Sequence, residues 1–318
     1  MSSNTIEKGS HVLVTGAGYR VTGIARNQAK AEAVKTALVE YGSDKFKVVI
    51  TGDLEKEEAF DEAVKDVDAI AHMASPLTFT SEDPIRDVIH PAVNGTVSLL
   101  HSAQKYGKNV KHIVVTSIID AVGSRDIDHP YTCTEKDWHD GAYESKTQAE
   151  RALWKFQQDE SPKFTINTIL PSLVIGRVIP TPKSGANMSG TPGMIAAYYA
   201  GKVDLKTEFD LRHVDVKDVA LAHVRAIERG FETNGKRFIL SAGTYDPQQI
   251  VDILRKHYPE RKDIIPEGTP GKYKHHDKTF VGSKATKILN IQYKNLETSM
   301  IELSDSVKHA YDLYSRVC

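Results

Sequence analysis

One stretch near the start of the chain, residues 11–26 (HVLVTGAGYRVTGIAR), limits the possible folds more than any other. It opens as an apolar strand at Val12, Leu13 and Val14 and runs into Thr15-Gly16-Ala17-Gly18. A dinucleotide-binding βαβ unit begins this way. Its glycines let backbone N–H groups close on a pyrophosphate, and the next helix aims its positive end at the same group. Here no helix follows, because residues 18–26 already read as a second strand. Adjacent parallel strands ordinarily need a crossover of about a dozen residues or more. The direction of the second strand is therefore decisive. A parallel pair keeps a nucleotide cleft, whereas an antiparallel pair with side chains filling that cleft removes it.

Further along, strand and helix patterns alternate. Helical spacing predicts helices over residues 28–41, 55–64, 84–106 and 142–158, with Pro91 either kinking the third or marking its true start. Short β-branched or apolar runs predict strands over 46–51, 67–72, 112–116 and 164–170. This alternation implies an α/β fold: a doubly wound, mostly parallel, Rossmann-like sheet covered on both faces. After Pro171 the texture changes. Residues 178–193 read as loop, 194–200 as a short helix, 212–214 as a strand, and Asp215 as the cap of a helix ending near Arg229. A strand at 237–241 and helices at 247–257 and 297–313 follow. We expect a dinucleotide-binding domain over 1–171 and a smaller α/β substrate lobe over 172–318, with 212–241 returning to the main sheet.

The length of 318 residues supports a large core and a second lobe. A net charge of −1 gives no electrostatic case for nucleic acid or an acidic membrane surface. The two cysteines, Cys133 and Cys318, supply neither a disulfide framework nor a metal cluster. No apolar run reaches the length of a membrane span, and the polar start carries no secretory signal, so a cytoplasmic protein is expected.

Four groups of residues bear on chemistry. Gly16, Gly18 and Gly23 are spaced G-x-G-x-x-x-x-G, which fits either a phosphate loop or a tight turn between strands. Arg26 and Lys30 follow the second strand, where cations meet a 2′-phosphate and an acidic residue would favour NAD; a solvated helix start is the plainer reading. Asp53, followed by Leu54, ends the next strand and suits either an adenine amino group or the cap of a helix at Glu55. Tyr143 and Lys146 suit carbonyl reduction, in which a tyrosine with its pKa lowered by an ammonium delivers a proton. Chance coincidence at a helix start is the alternative. His72 reads as a packed or capping residue.

With these residues in view, the chain resembles the extended short-chain dehydrogenase/reductases, most closely the dihydroflavonol 4-reductase branch with its fungal methylglyoxal and aldehyde reductases. The resemblance covers nearly the whole length. It is carried by VLVTGA (12–17), GIARNQAKAE (23–32), GDLEKEEAFDEAV (52–64), HMASP (72–76), HPAVNGT (90–96), VKHIVVTS (110–117), SKTQAERALW (145–154) and HVDVKDVALAHVRAIE (213–228). It implies an NADPH/NADP+ cofactor and a small carbonyl substrate. Arg26 and Lys30 would bind the 2′-phosphate and Asp53 the adenine. Tyr143 would be the acid, Lys146 would bind the nicotinamide ribose, and Pro171 would open the loop walling the nicotinamide pocket.

The departures from that pattern fall at the chemistry. About one helix of chain is absent after the glycines. Ile118 stands where the family has its second serine, which leaves Ser117, or Ser124, to supply a hydroxyl. A one-residue change in a strand turns the side chain to the other face. The spacing is Tyr-x-x-Lys, not Tyr-x-x-x-Lys, which moves Lys146 by about 100° around a helix axis. Residues 138–142 form a short approach to Tyr143. Three readings stay open. One is an NADPH-dependent carbonyl reductase of a small apolar or aromatic metabolite, its pocket shaped by Met188, Tyr198 and Tyr199 unless these are plain core. A second is a non-catalytic binding module, a pattern that missing exon-sized pieces would also produce. The third is an epimerase or dehydratase on the same fold.

Overall fold

A computed structural model describes residues 11–13, 19–39, 42, 45–74, 81–123, 131–139, 145–179, 190–203, 205, 211–273 and 278–312. The strands are β1 (His11–Leu13), β2 (Arg20–Ala25), β3 (Phe46–Ile50), β4 (Ala69–His72), β5 (His112–Thr116) and β6 (Tyr131–Cys133). They continue as β7 (Thr165–Pro171), β8 (Leu173–Ile175), β9 (Leu211–Asp215), β10 (Lys236–Leu240), β11 (Gly243–Tyr245) and β12 (Lys278–Phe280). The helices are α1 (Gln28–Ala37), α2 (His90–Tyr106), α3 (Ser145–Glu160), α4 (Gly190–Tyr199), α5 (Val216–Glu228), α6 (Gly230–Thr233), α7 (Pro247–His257), α8 (Ser283–Leu289) and α9 (Leu296–Asp312).

Seven strands form one sheet in the order β10-β7-β5-β4-β1-β2-β3, every neighbouring pair parallel. The order reverses between β1 and β4, as in a doubly wound sheet. On one face Val21, Ala71, Val114 and Ile169 pack under Ala222 and Ala226 of α5 and Leu289 of α8. On the other, Ile70, Ile113 and Ile166 pack under Leu99 of α2 and Leu153 of α3. The second lobe holds a three-stranded sheet, β11-β9-β8, and a core of Ile195, Tyr199, Leu254, Met300 and Leu303. Of the stretch 212–241, β10 lies in the main sheet and β9 in the smaller one.

The first two strands pair in parallel, His11 opposite Arg20 and Val12 opposite Val21. Only six residues, 14–19, separate them. This corrects the expectation that such a pair needs a long crossover. Because β1 is three residues long, the chain must return only about 7 Å along the strand and about 5 Å sideways. Six residues reach about 20 Å. Tyr19 fills part of the space above the sheet: its ring is buried in the α5-side core and its hydroxyl donates to Glu228 Oε1 at 2.9 Å.

Three further expectations change. Gly23 is no phosphate-loop glycine; it sits within β2 opposite Val48, and a Cβ there would lie 3.1 Å from the Phe46 ring. Residues 55–64 form successive turns, not the predicted amphipathic helix. The Ser98 hydroxyl of α2 approaches the carbonyls of Lys56 and Glu57 at 2.9 and 3.0 Å, and the Asp61 N–H bonds back to Glu58. Helix α1 stops at Ala37, because Leu38 leaves helical dihedrals. Pro91 lies in the first turn of α2, which follows without a break from a π-turn at Ile85–Ile89, the backbone being helical on both sides of the junction.

Candidate active site

In doubly wound sheets, ligands bind beyond the carboxyl ends of the strands. The residues closing β4 and β5 there meet one side chain from α3. Lys146, the second residue of α3, donates from Nζ to the carbonyl of Thr116 at 2.9 Å. Burial, partly offset by the Glu150 carboxylate, brings its pKa down to about 8. His72 closes β4, edge-on to Phe60. Burial first, and the Lys146 ammonium second, hold its pKa down at about 3. His72 is thus a neutral, packed residue, as the sequence suggested. Thr116 turns its hydroxyl to the opposite face, 2.7 Å from His223 Nε2; His223 Nδ1 donates to the Val219 carbonyl at 2.8 Å.

Ser117 lies under α3, buried, with its hydroxyl donating to Glu150 Oε2 at 2.6 Å. It serves the protein interior, and we assign it no contact with substrate, which corrects the expectation from sequence. Ile118 packs against the cluster of Val122, Cys133, Leu170 and Ile239. Pro171, the last residue of β7, is buried opposite Leu240 of β10. Tyr198 and Tyr199 are core residues of the small lobe, Tyr199 edge-on to Tyr258 at 5.0 Å. Tyr143, Gly16, Gly18, Ser124 and Met188 lie outside the described residues.

At the other end of the sheet edge, Arg26 directly follows β2 and Lys30 lies in the first turn of α1, both exposed. Among the described residues neither takes part in an ion pair. Asn27 caps α1 by accepting from the Lys30 N–H at 3.0 Å. Asp53 is exposed and accepts from the Glu55 N–H at 3.0 Å, a local side-chain turn; because residues 55–64 are turns, it has no helix to cap. Leu54 is half-buried against the α2-side core. The described residues therefore suit a phosphorylated dinucleotide at both ends: two unpaired cations beyond β2, and a half-buried ammonium beside β4 and β5. Among the described residues no group of His, Cys, Asp and Glu could hold a metal ion, and no helix is long and apolar enough to cross a membrane.

Sequence reasoning missed the groups beneath Lys146. Glu150 accepts from Arg237 Nε at 2.8 Å and Nη2 at 3.1 Å, from Ser117, from Thr168 Oγ1 at 2.7 Å and from Trp154 Nε1 at 3.3 Å. Two signals were available. Glu150 falls four residues after Lys146, on the same helical face, and Arg237 directly precedes the apolar run Phe238-Ile239-Leu240 in one strand.

Sheet order and edge chemistry define a Rossmann-type dinucleotide-binding protein. Its sequence matches the NAD dependent epimerase/dehydratase family over residues 9–240, and the chain belongs to that family. It is 30% identical to the NADPH-dependent methylglyoxal reductase GRE2 of Saccharomyces cerevisiae, across 91% of both chains. It is equally similar, 30% across 91% of both chains, to the ketoreductase azaE of Aspergillus niger. The crystal structure of yeast methylglyoxal/isovaleraldehyde reductase Gre2 complexed with NADPH superposes with a TM-score of 0.82 at 29% identity, covering 94% of this chain and 93% of that one.

Proposed function

We propose that the protein is an NADPH-dependent reductase of aldehydes or ketones, acting on a small apolar or aromatic carbonyl compound. The observation that carries this reading is Lys146: a half-buried lysine ammonium at the carboxyl edge of β5, bonded to the Thr116 carbonyl, in a family whose NADPH-dependent members resemble this chain over nearly its full length. NADPH, when bound, supplies the hydride. Arg26 and Lys30 would hold its 2′-phosphate, Asp53 and Leu54 would border the adenine, Lys146 would hold the nicotinamide ribose, and Pro171 would open the loop walling the nicotinamide pocket. Tyr143 gives its phenolic proton to the carbonyl oxygen, and the neighbouring Lys146 ammonium makes that phenol more acidic. Polarisation of the carbonyl then rests on Tyr143, since Ile118 carries no hydroxyl and Ser117 faces Glu150.

The test is a titration followed by the fluorescence of Trp138 and Trp154. Saturable quenching by NADPH, weaker by NADH, is expected, together with NADPH oxidation when an aldehyde is added. No response to either nucleotide at about millimolar concentration, far above the affinity a working cofactor site needs, would overturn the reading. Tyr143→Phe should bind NADPH and fail to turn over.

A further inference from the structure

Arg237 sits in β10, the edge strand of the main sheet, almost wholly buried. Its guanidinium is used on every side. Nε and Nη2 grip the two oxygens of Glu150 as a fork. Nη1 donates to the carbonyls of Asp137 at 2.6 Å and Glu135 at 3.2 Å. The guanidinium lies 3.8 Å from the centre of the Trp138 ring, and Arg151 of α3 lies 4.7 Å from the same ring. We propose that Arg237 is a positioning residue for the reaction, holding in one place the helix that carries Lys146 and the segment that leads into Tyr143. This rests on the reading of Tyr143 and Lys146 given above.

The plainer account, a buried ion pair that stabilises the core, leaves the geometry unexplained. Two apolar residues of similar volume fill such a space as well. They could not take two backbone carbonyls from residues 135–137 while holding a carboxylate on α3. A planar five-donor group can, and a lysine cannot. Glu150 extends the arrangement, since Ser117, just past the end of β5, and Thr168, in the middle of β7, bind the same carboxylate. Among the described residues, Lys146 faces Glu150 from its own helix, His72 from β4 and the Thr116 carbonyl from β5. Arg237 acts on it only across Glu150.

The experiment compares Arg237→Lys, Glu150→Gln and Trp138→Leu in the full chain, with Tyr143→Phe and Lys146→Met as references. Each is assayed for aldehyde reduction and for NADPH binding by the fluorescence of the nucleotide itself, because Trp138→Leu removes one of the two reporting tryptophans. Arg237→Lys should lower kcat by about tenfold to a hundredfold, with NADPH affinity within about threefold of the parent, since small misplacements weaken the chemical step more than binding. Glu150→Gln removes the charge that holds the Lys146 ammonium, so the basic limb of the kcat profile should move to lower pH by about one unit. Trp138→Leu leaves the Arg237–Glu150 pair intact and should lower kcat in the same direction. It serves as the readout should Arg237→Lys not fold. Unchanged kcat and pH profile in these variants, with both references inactive, overturns the positioning role alone. References that turn over like the parent overturn the functional reading, and the positioning role with it.

Discussion

Lys146 is charged at neutral pH against the pull of its surroundings. Its folded pKa of about 8 lies below the ordinary 10.5. Below pH 8 both folded and unfolded chains carry the proton, and the fold bears the full penalty of burying it. Between about 8 and 10.5 the unfolded chain holds more protons, so this group makes stability rise with pH. Thermal unfolding of the nucleotide-free protein across pH 7–10 should show that rise, and Lys146→Met should remove it. At the opposite end of the sheet edge, Arg26→Gln should weaken NADPH binding by about tenfold, the scale of one charge-assisted hydrogen bond, and leave NADH binding nearly unaltered. Equal losses for both nucleotides would place the 2′-phosphate elsewhere.

At the scale of elements, Asp215 joins three of them. It caps α5 by accepting from the Lys217 N–H at 2.8 Å, accepts from Ser299 of α9 at 2.6 Å and pairs with Lys294 at 3.2 Å, fully buried. Asp215→Ala should cost about 1 kcal/mol for the cap alone, and more for the stranded lysine, lowering the unfolding midpoint by several degrees. Asp215→Asn, which can still cap, should recover part of the loss. Asp215 was readable from sequence because capping is local chemistry, and α7, with its Asp246–Gln249 capping box and Pro247, is where the spacing put it. Strand β5 was read to the residue for a similar reason, since a short β-branched run has few other solutions. Helix 55–64 was misread because its apolar spacing is helical while Ser98, in a distant helix, draws off its carbonyls. The short strands β6, β8, β11 and β12 carry no pattern long enough to register. The site divides likewise. Arg26, Lys30, Asp53 and Lys146 follow from position along the chain, but Arg237 comes 91 residues after Lys146, and only the sheet order brings it beneath α3.

For the whole molecule, buried histidines set a limit on acid tolerance. His72 is held down at about 3 and His112 at about 4, His112 mainly by burial, with its Nε2 donating to Asn167 at 2.7 Å. His223 and His213 are also lowered by burial. Each folded pKa lies below the unfolded value of about 6.5. The unfolded chain therefore binds more protons once the pH falls below about 6.5, and stability present at neutrality drains away towards pH 3–4. Urea midpoints should be flat near pH 7–8 and fall steeply below 6.5, and a flat profile down to pH 5 would show that these rings are solvated.

The tie between the first two strands bears on how the chain finds this shape. Closing a ring of six intervening residues restricts the chain less than closing one that contains a helix, and contacts near in sequence form early. The centre of the sheet can then zip as a local hairpin-sized unit, though with both strands running the same way, before distant strands such as β10 dock. Refolding should therefore be limited by the arrival of the far edge and not by the nucleotide-proximal strands, an order that pulse-labelled hydrogen exchange would read directly.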